Sequence, residues 1–391
     1  MRIDTVKPTD VESDTEPAMK KSANLLLLFV FFSSFGLLSE KTWGCGGDNQ
    51  TVAMPDFRDA DGWFGADDAY SIPLGDDKSV WLFGDAFVGD REAKLRSENK
   101  AMVRNSVGIS TCHPGSACTI QYFWQKQYTP KPRSFFDTGT DDLWYWPLDA
   151  FRDGKKLYVS LLAVRNKPNA GSEAFGFEIA GTKLAIVSNV LDSPDRWHVK
   201  VSDLTGEGIW PGPAIIADGK YVLWYTQVVA AGDRGFMTVL RVPKNKMSKP
   251  SASWEYLKSD GTWSKGLPGR DAVHVIDQAI SEMSVRYHPS IHKWIAIVPG
   301  PGFPTPEVDV RTADSAIGPW SPASKLFEFP EMKKDYPGFD KDTFCYATKE
   351  HTEFSESKIA LTYACNSMVV AKVIANDDLY RPRPVILDLP H

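Results

Sequence analysis

The sequence lacks the marks of several large functional classes. It has no long block of Lys or Arg, and its formal net charge is −6, so nucleic acid and anionic membrane surfaces are poor matches as main partners. No glycine-rich phosphate loop leads from a strand into a helix, which leaves nucleotide chemistry without support. Ser71 and Ser106 stand outside any local signature of a serine hydrolase elbow.

Histidine is scarce, and the seven His residues show no metal-site spacing. His288 and His292 are four residues apart but bracket a predicted turn, which favours solvated side chains. His351 is the one candidate ligand for a structural Ca²⁺ at a central axis, and a hydrogen-bonded loop histidine is the alternative. We otherwise predict no metal and no cofactor.

The one long apolar run, residues 23–38, is too short to be a convincing membrane span. It follows Lys20 and Lys21, as in a secretory signal, with Met19 as an alternative start. We predict an export segment over 1–45, a tether over 46–60 and one domain over 61–391. Cys45 is a candidate lipidation site, because its Gly-Cys junction resembles a bacterial lipoprotein cleavage site, although the usual Leu three residues before the Cys is missing. An uncleaved signal anchor is the alternative. Membrane contact is expected only through the signal or lipid.

Cysteine is also rare, with five residues in the chain. Setting Cys45 aside leaves Cys112 near Cys118 around a turn, and Cys345 and Cys365 flanking a predicted hairpin. Both spacings allow disulfides, which predicts an extracytoplasmic location, although four reduced thiols would look the same in sequence.

A weak repeat indicates the fold. Five short apolar strands, each following a turn, begin at residues 80, 157, 221, 294 and 359. Each is interpreted as the second arm of a hairpin, and a third strand is predicted after it, over 107–110, 184–187, 237–242, 308–311 and 368–373. Four units add an outer segment that carries a Trp residue: Trp124, Trp197, Trp254 and Trp320.

Long amphipathic helices are almost absent from the pattern, so the repeat predicts an all-β protein. Five antiparallel sheets at intervals of 64 to 77 residues are typical of a five-bladed β-propeller with four-stranded antiparallel blades. A pair of β-sandwiches is the competing architecture, but no Pro/Ser-rich linker divides the chain near its middle. We expect a monomer.

Two carboxylates in the first predicted hairpin indicate chemistry. If the turn centres near Asp76, Asp67 and Asp85 face each other across the ladder, roughly 4.5 to 5.5 Å apart at Cα. Like charges directly opposite are destabilising, and packing gives no reason to place them in an apolar hairpin. Paired acids suit glycosidic bond cleavage. The alternative is a turn cap beside a solvated acid, and a register error of one residue would separate the side chains.

The propeller interpretation gathers further residues at one mouth of the channel, where first strands begin and second strands end. Trp146 and Trp210 could form stacking walls for sugar rings, in keeping with 12% aromatic content. Glu282 could tune the acid pair or hold a hydroxyl group, and Arg104 and Asn105 could orient the acids, although an Arg that merely neutralises Asp85 is the alternative. The candidate substrate-binding residues are Asp68, Arg104, Asn105, Trp146, Asp149, Trp210, Glu282 and Asn366.

The stretches 65–74, 80–87, 104–106, 144–147, 281–285 and 317–321 together resemble an exported bacterial family of formerly unknown function that includes mycobacterial endo-D-arabinanases. The resemblance implies a five-bladed propeller related to arabinanases and other furanosidases. It also implies that Asp67 and Asp85 are the catalytic pair. Asp68 departs from the small residue expected at its position, and its extra carboxylate could change the pKa of Asp67.

The sequence therefore predicts a glycoside hydrolase that cleaves a furanose-rich, arabinan-like polysaccharide. Carboxyl groups about 5 to 5.5 Å apart would indicate retention of configuration, whereas the resemblance implies inversion and a separation of about 6.5 to 9.5 Å. The alternative function is a non-catalytic carbohydrate-binding or surface-assembly propeller, which is favoured if Asp68 has displaced Asp67 from its working position.

Overall fold

The computed structural model describes residues 53–167, 176–229, 235–278 and 280–390. These residues form five antiparallel sheets in chain order, which are the blades of a propeller. Blade 1 contains β1 (Trp63–Gly75), β2 (Lys78–Val88), β3 (Ala101–Val103), β4 (Ser106–Thr111) and β5 (Thr119–Phe123). Blade 2 contains β6 (Leu143–Asp153), β7 (Lys156–Asn166), β8 (Phe177–Val187) and β9 (Val199–Thr205).

The other three blades follow the same order. Blade 3 contains β10 (Ile209–Asp218), β11 (Tyr221–Val228), β12 (Phe236–Pro243), β13 (Glu255–Leu257) and β14 (Trp263–Lys265). Blade 4 contains β15 (Ser284–His288), β16 (Lys293–Pro299), β17 (Glu307–Ala313) and β18 (Ser324–Glu328). Blade 5 contains β19 (Thr343–Glu350), β20 (Lys358–Ser367) and β21 (Pro382–Asp388).

Helix is almost absent from the described residues. The α-helix there is α1 (Val370–Ala375), and short 3₁₀ turns cover Arg96–Glu98, Pro194–Arg196, Lys244–Lys246, Pro250–Ala252, Pro330–Met332 and Thr352–Phe354. No helix among the described residues is long and apolar enough to cross a membrane. The predicted export segment and Cys45 lie outside the described residues.

The all-β, five-bladed propeller predicted from the sequence is confirmed, but the number of strands per blade varies from three to five. The prediction of a strand over 368–373 was wrong, because α1 begins at Val370 and the third strand of blade 5 is β21. Val373 of α1 is buried against Phe64 and Tyr380, and this small apolar cluster holds the segment as a helix.

The second strands are buried on both faces because each blade is packed between two others. In β2 every residue from Ser79 to Val88 is buried. Its Trp81 lies edge-on to Phe57, with ring centroids 4.8 Å apart, and stacks on Phe354 at 5.7 Å. Phe57 belongs to the segment predicted as a tether, yet it is fully buried, so residues near it pack as part of the propeller.

Both predicted disulfides are present. Cys112 is bonded to Cys118, and Cys345 is bonded to Cys365 across the directly paired positions of β19 and β20. The two bonds are compatible with an oxidising, extracytoplasmic compartment.

Candidate functional site

A cavity of about 460 Å³ opens at the end of the propeller where first strands begin and second strands end. This is the mouth that the sequence predicted. Six of the predicted site residues line it: Asp67, Asp68, Asp85, Trp146, Glu282 and Asn366. Tyr346 and Tyr380 complete the surroundings of the carboxylates.

A bulge in β1 turns two consecutive carboxylates toward this cavity. Ala66 pairs with Ala86 and Tyr70 pairs with Leu82, which is the predicted register, but Asp68 pairs with Phe83 between them. Asp68 has φ +61° and Ala69 has φ +109°, so the strict alternation of side chains is broken there. Asp67 and Asp68 consequently lie on the same side, although neighbours in a regular strand would point to opposite faces.

Gly84 makes room for both carboxylates. A methyl group at Gly84 would collide with Oδ1 of Asp67 and lie 2.9 Å from Oδ2 of Asp68. We expect Gly84→Ala to displace both acids and to lower any activity of the site by more than about tenfold, since misplacement of about 1 Å is that costly. The loss is measured as turnover of arabinan and related polysaccharides, and the melting temperature is measured on the same preparations. Gly206→Ala is the control, because a methyl group at Gly206 meets no atom within 4 Å and its φ, like that of Gly84, lies outside the left-handed region. Equal turnover in both variants and wild type would contradict the expected crowding.

Each carboxylate oxygen of Asp85 accepts a hydrogen bond from a side chain. Nη1 of Arg104 lies 3.0 Å from its Oδ2, and Nε1 of Trp146 donates to its Oδ1 at 2.7 Å. Burial raises the pKa of Asp85 above its usual value, and Arg104 and the Trp146 hydrogen bond limit that rise. A carboxylate with a cation on one oxygen and an N–H donor on the other is held in its ionised form.

Asp67 has a different environment. Its Oδ2 accepts hydrogen bonds from the hydroxyl groups of Tyr346 at 2.7 Å and Tyr380 at 3.1 Å, while its buried Oδ1 has no partner among the described residues. Burial, followed by repulsion from Asp68 and Asp85, raises the pKa of Asp67 well above its usual value. The protonated form of Asp67 is therefore favoured beside an ionised Asp85.

Asp68 lies near one carboxylate, Glu282, and one ammonium group, Lys349. Burial and the Glu282 carboxylate raise the pKa of Asp68 to about 7, against the opposing effect of Lys349. Nζ of Lys349 lies 3.9 Å from Oδ1 of Asp68 and 4.3 Å from the ring centre of Tyr70. Glu282 accepts a hydrogen bond at 2.8 Å from the backbone N–H of Ala347, a residue at φ +58° in a bulge of β19.

The raised pKa of Asp68 predicts a pH dependence of stability. Native Asp68 keeps its proton up to about pH 7, whereas the unfolded chain loses it near pH 3.8, so this group makes stability fall as pH rises between these values. Asp68→Asn removes the titration. We expect the melting temperature of the variant, relative to wild type, to be higher at pH 8 than at pH 4.5. Calorimetry at both pH values measures it, and a difference that stays constant or reverses would contradict the expected sign.

Three predicted site residues lie in the walls of the propeller and do not line the described part of the cavity. Asn105 is fully buried, donates to the carbonyl groups of Phe136 and Tyr145, and accepts from the Phe136 N–H. Its amide joins blade 1 to the segment that leads into blade 2. Trp210 packs against the apolar core between blades 1 and 2 instead of forming a sugar-facing wall.

Asp149 is the third, and its role is visible from its contacts. It is 1% exposed and accepts from the backbone N–H groups of Ala150 at 2.9 Å and Ile215 at 2.8 Å. Arg286 lies 3.2 Å from its Oδ2. The carboxylate of blade 2 thus binds blade 3 through Ile215 and blade 4 through Arg286, so it connects three blades inside the channel.

Arg104 lies between the main cavity and a second one of about 240 Å³. The second cavity is lined by Arg104 and Trp144, and the guanidinium carbon of Arg104 lies 4.6 Å from the Trp144 ring centre. Arg104 thus both neutralises and orients Asp85. Its role in binding substrate stays a prediction.

His351 is fully buried, with Nδ1 2.7 Å from the hydroxyl of Ser71 and Nε2 2.8 Å from that of Thr362. Both ring nitrogens are occupied, so His351 does not fit the predicted role of cation ligand. Burial lowers its pKa well below the usual value, which keeps the ring neutral. Among the described residues, Glu331, Cys345 and Cys365 form the one potential metal-ligand cluster, but both sulfur atoms are in the disulfide.

Several residues at the cavity were not predicted from the sequence: Phe177, Phe303, Phe344 and Tyr380 line it, and Lys349 lies behind them. Phe344 and Lys349 belong to β19, where alignment of the repeats could have identified them. Phe303 and Tyr380 lie in connections whose positions the repeat does not determine.

Comparison with known proteins adds a family and a fold. The model of the family described as "Domain of unknown function (DUF5005)" matches residues 56–387. No curated protein sequence matches this chain. The matched family has no assigned activity, so the endo-D-arabinanase activity implied by the sequence resemblance stays a prediction.

Solved structures share the fold. A protein from Bacteroides ovatus ATCC 8483, provisionally named a hydrolase, is 19% identical with a TM-score of 0.65, over 84% of this chain and 86% of that one. An endo-arabinase from Bacteroides thetaiotaomicron is 11% identical with a TM-score of 0.44, over 87% and 98%. An α-L-arabinanase mutant from Cellvibrio cellulosa is 13% identical with a TM-score of 0.43, over 84% and 93%. At these identities the likeness concerns the fold alone.

Proposed function

This chain belongs to the DUF5005 family, and we propose that it is a glycoside hydrolase in which Asp67 and Asp85 are the catalytic pair. The observation that supports this most is the contrast between the two acids in one cavity. Asp85 is bound by Arg104 and Trp146, whereas Asp67 is surrounded by carboxylates and tyrosine hydroxyl groups. Environments that push two pKa values apart are what acid and base roles require.

The contacts support one division of roles. Asp67, with its raised pKa, carries the proton that the leaving glycosidic oxygen receives. Asp85, ionised beside Arg104, acts as the nucleophile or as the base that activates water. Asp85 and Glu282 add negative charge around Asp67 and keep its proton in place. Tyr346 and Tyr380 hold the Asp67 side chain in position through its Oδ2.

A neutral, furanose-rich polysaccharide of the arabinan type is the proposed substrate. The carboxylates of Asp85 and Glu282 give the cavity negative charge, which disfavours uronic acids, while Trp146 and Tyr346 offer faces to uncharged rings. The resemblance noted in the sequence supports a furanoside. The hydrolase name of the Bacteroides ovatus protein, which shares the fold, agrees with this class.

The test is a panel of linear arabinan, arabinogalactan, galactan and mycobacterial D-arabinan incubated with purified protein. We expect new reducing ends from at least one arabinose-containing polymer and none from polygalacturonate. NMR of the first product anomer distinguishes retention from inversion. Binding to a polymer with no product from any of them would contradict the proposal and favour a carbohydrate-binding propeller.

A further inference from the structure

Arg104 separates the second cavity, of about 240 Å³, from the acid pair. The cavity is formed by β3, by the connection from β5 to β6 and by the start of β6. Two of its lining side chains contact the residues that hold Asp85. Nη1 of Arg104 donates to Asp85 directly, and the Trp144 ring lies 6.1 Å from the ring of Trp146, the other donor to Asp85. The second cavity is therefore one side chain away from the Asp85 carboxylate.

The lining of the second cavity carries hydrogen-bond donors that have no acceptor. Nη1 of Arg104 binds Asp85, but Nε and Nη2 of Arg104 donate to no described residue. The hydroxyl group of Ser134 accepts from the backbone N–H of Arg104 at 2.9 Å and itself donates to no described residue. The buried Nε1 of Trp144 also lacks an acceptor among the described residues. These donors match a ligand that brings several oxygen acceptors.

The charges around the second cavity favour a neutral ligand. Arg133 donates to both oxygens of Asp137 at 3.0 Å and to Asp141 at 2.8 Å, and Arg104 is bound to Asp85. Each guanidinium group already has a carboxylate, and the three carboxylates outnumber the two guanidinium groups. An anionic ligand would add to this excess of negative charge, whereas the hydroxyl groups of a neutral sugar would not.

The boundary between the two cavities is open to solvent. The side chain of Arg104 is 37% exposed, and Met102 in the lining of the second cavity is 41% exposed. A sugar chain held at Asp85 can therefore pass over Arg104 and place another residue in the second cavity.

We propose that the second cavity binds one neutral sugar residue of the polysaccharide, next to the residue held at Asp85, through the Nε–Nη2 edge of Arg104 and the hydroxyl group of Ser134. This inference rests on the proposed function and adds to it a second sugar site that shares Arg104 with the acid pair. Hydroxyl oxygens of a sugar accept from both donors. The residue comes either from a branch or from the next position of the main chain, because both present the same hydroxyl groups.

Calorimetric binding to Met102→Trp tests the site, because the larger side chain fills part of the second cavity and leaves Arg104 and Ser134 unchanged. The ligands are a linear and a branched arabinohexaose, and Asp67→Asn in every protein prevents turnover. We expect the Kd of at least one ligand to rise about 5- to 20-fold, as the loss of two hydrogen bonds predicts. Leu191→Trp is the matched control, since Leu191 is 52% exposed and lines neither cavity.

The two ligands distinguish the sources of the sugar residue. A rise in Kd confined to the branched ligand assigns the site to a branch, whereas a rise for the linear ligand assigns it to the main chain. Thr140→Trp places an indole in the same cavity and should give the same pattern, so the test does not depend on the folding of one variant. Unchanged Kd values in both variants, the same rise in Leu191→Trp, or no binding of either ligand would overturn the site.

Hydrolysis by the wild-type protein separates this inference from the proposed function. Weaker binding in Met102→Trp and Thr140→Trp, without any hydrolysis by wild type, would refute the enzyme but retain the second sugar site. Hydrolysis by wild type, with unchanged Kd in both cavity variants, would leave the acid pair intact and overturn the second sugar site.

Discussion

Asp85→Asn is expected to lower kcat/KM on the cleaved polymer by about 10³-fold or more. The substitution keeps the shape of the side chain but removes the charge needed for a nucleophile or base. Burial raises the pKa of Asp85, so its charge is not a source of folding stability, and its partner Arg104 retains a side chain that is 37% exposed. The variant should therefore melt close to the wild-type temperature. Initial rates and calorimetry on the same preparations measure both quantities.

Asp76→Asn provides the matched control for Asp85→Asn. Asp76 lies in the turn of the same hairpin at φ +52°, a conformation that Asn tolerates well. It should leave both rate and melting temperature unchanged. If Asp85→Asn kept wild-type turnover, Asp85 would be a structural anchor for Arg104 and Trp146 only. A rate loss that matched a loss of folded protein would lead to the same conclusion.

Arg286→Met is expected to cause the largest loss of stability, about 3–5 kcal/mol, because it leaves the buried Asp149 without its cation. The side chain of Asp149 is 2% exposed, so water cannot replace the guanidinium. In a domain of this size, a loss of about 3–5 kcal/mol corresponds to a fall in melting temperature of about 4–7 °C. Chemical unfolding and calorimetry measure it, with Lys293→Met as the control for the exposed pair of Lys293 and Asp314.

The double variant Asp149→Asn/Arg286→Met tests the cause of that loss. With no unpaired charge in the channel, it should be more stable than Arg286→Met alone. The Lys293→Met control should cost less than about 1 kcal/mol. Equal effects of Arg286→Met and Lys293→Met would show that Asp149 does not depend on the buried ion pair.

Much of the fold was predictable because it repeats. The turn-strand pattern recurs at similar intervals, and each second strand is apolar on both faces, as in β2. The exception at 368–373 has a local cause. Val369 and Val370 have high β propensity, but burial of Val373 beside Phe64 and Tyr380 requires a helix there. The contact between Val373 and Phe64 joins residues more than 300 positions apart, and sequence periodicity does not show it.

The site was predictable where a residue's position in the repeat determines its location. Asp67, Asp85, Trp146 and Glu282 lie at the ends of inner hairpins and line the cavity together. The bulges were not predictable. Asp68 faces the cavity because of positive φ angles at residues 68 and 69, and regular alternation would have turned it away.

The roles of Asn105, Asp149 and Trp210 could not be predicted from the repeat alone. Their positions in the repeat place them near the cavity, but their side chains contact residues of neighbouring elements. Whether such a side chain binds substrate or joins two blades depends on those partners. Lys349 was not predicted as a site residue, because only the structure shows that its ammonium group lies near Asp68.

Turnover by the variants Asp67→Asn, Asp85→Asn and the double variant most directly tests whether the two acids act as one pair. Measured as kcat/KM on the cleaved arabinan, each single variant should lose about 10³-fold, and the double variant should lose little more than the worse of the two. Multiplying losses in the double variant would show two independent contributions. Near wild-type turnover in either single variant would remove that aspartate from the catalytic pair.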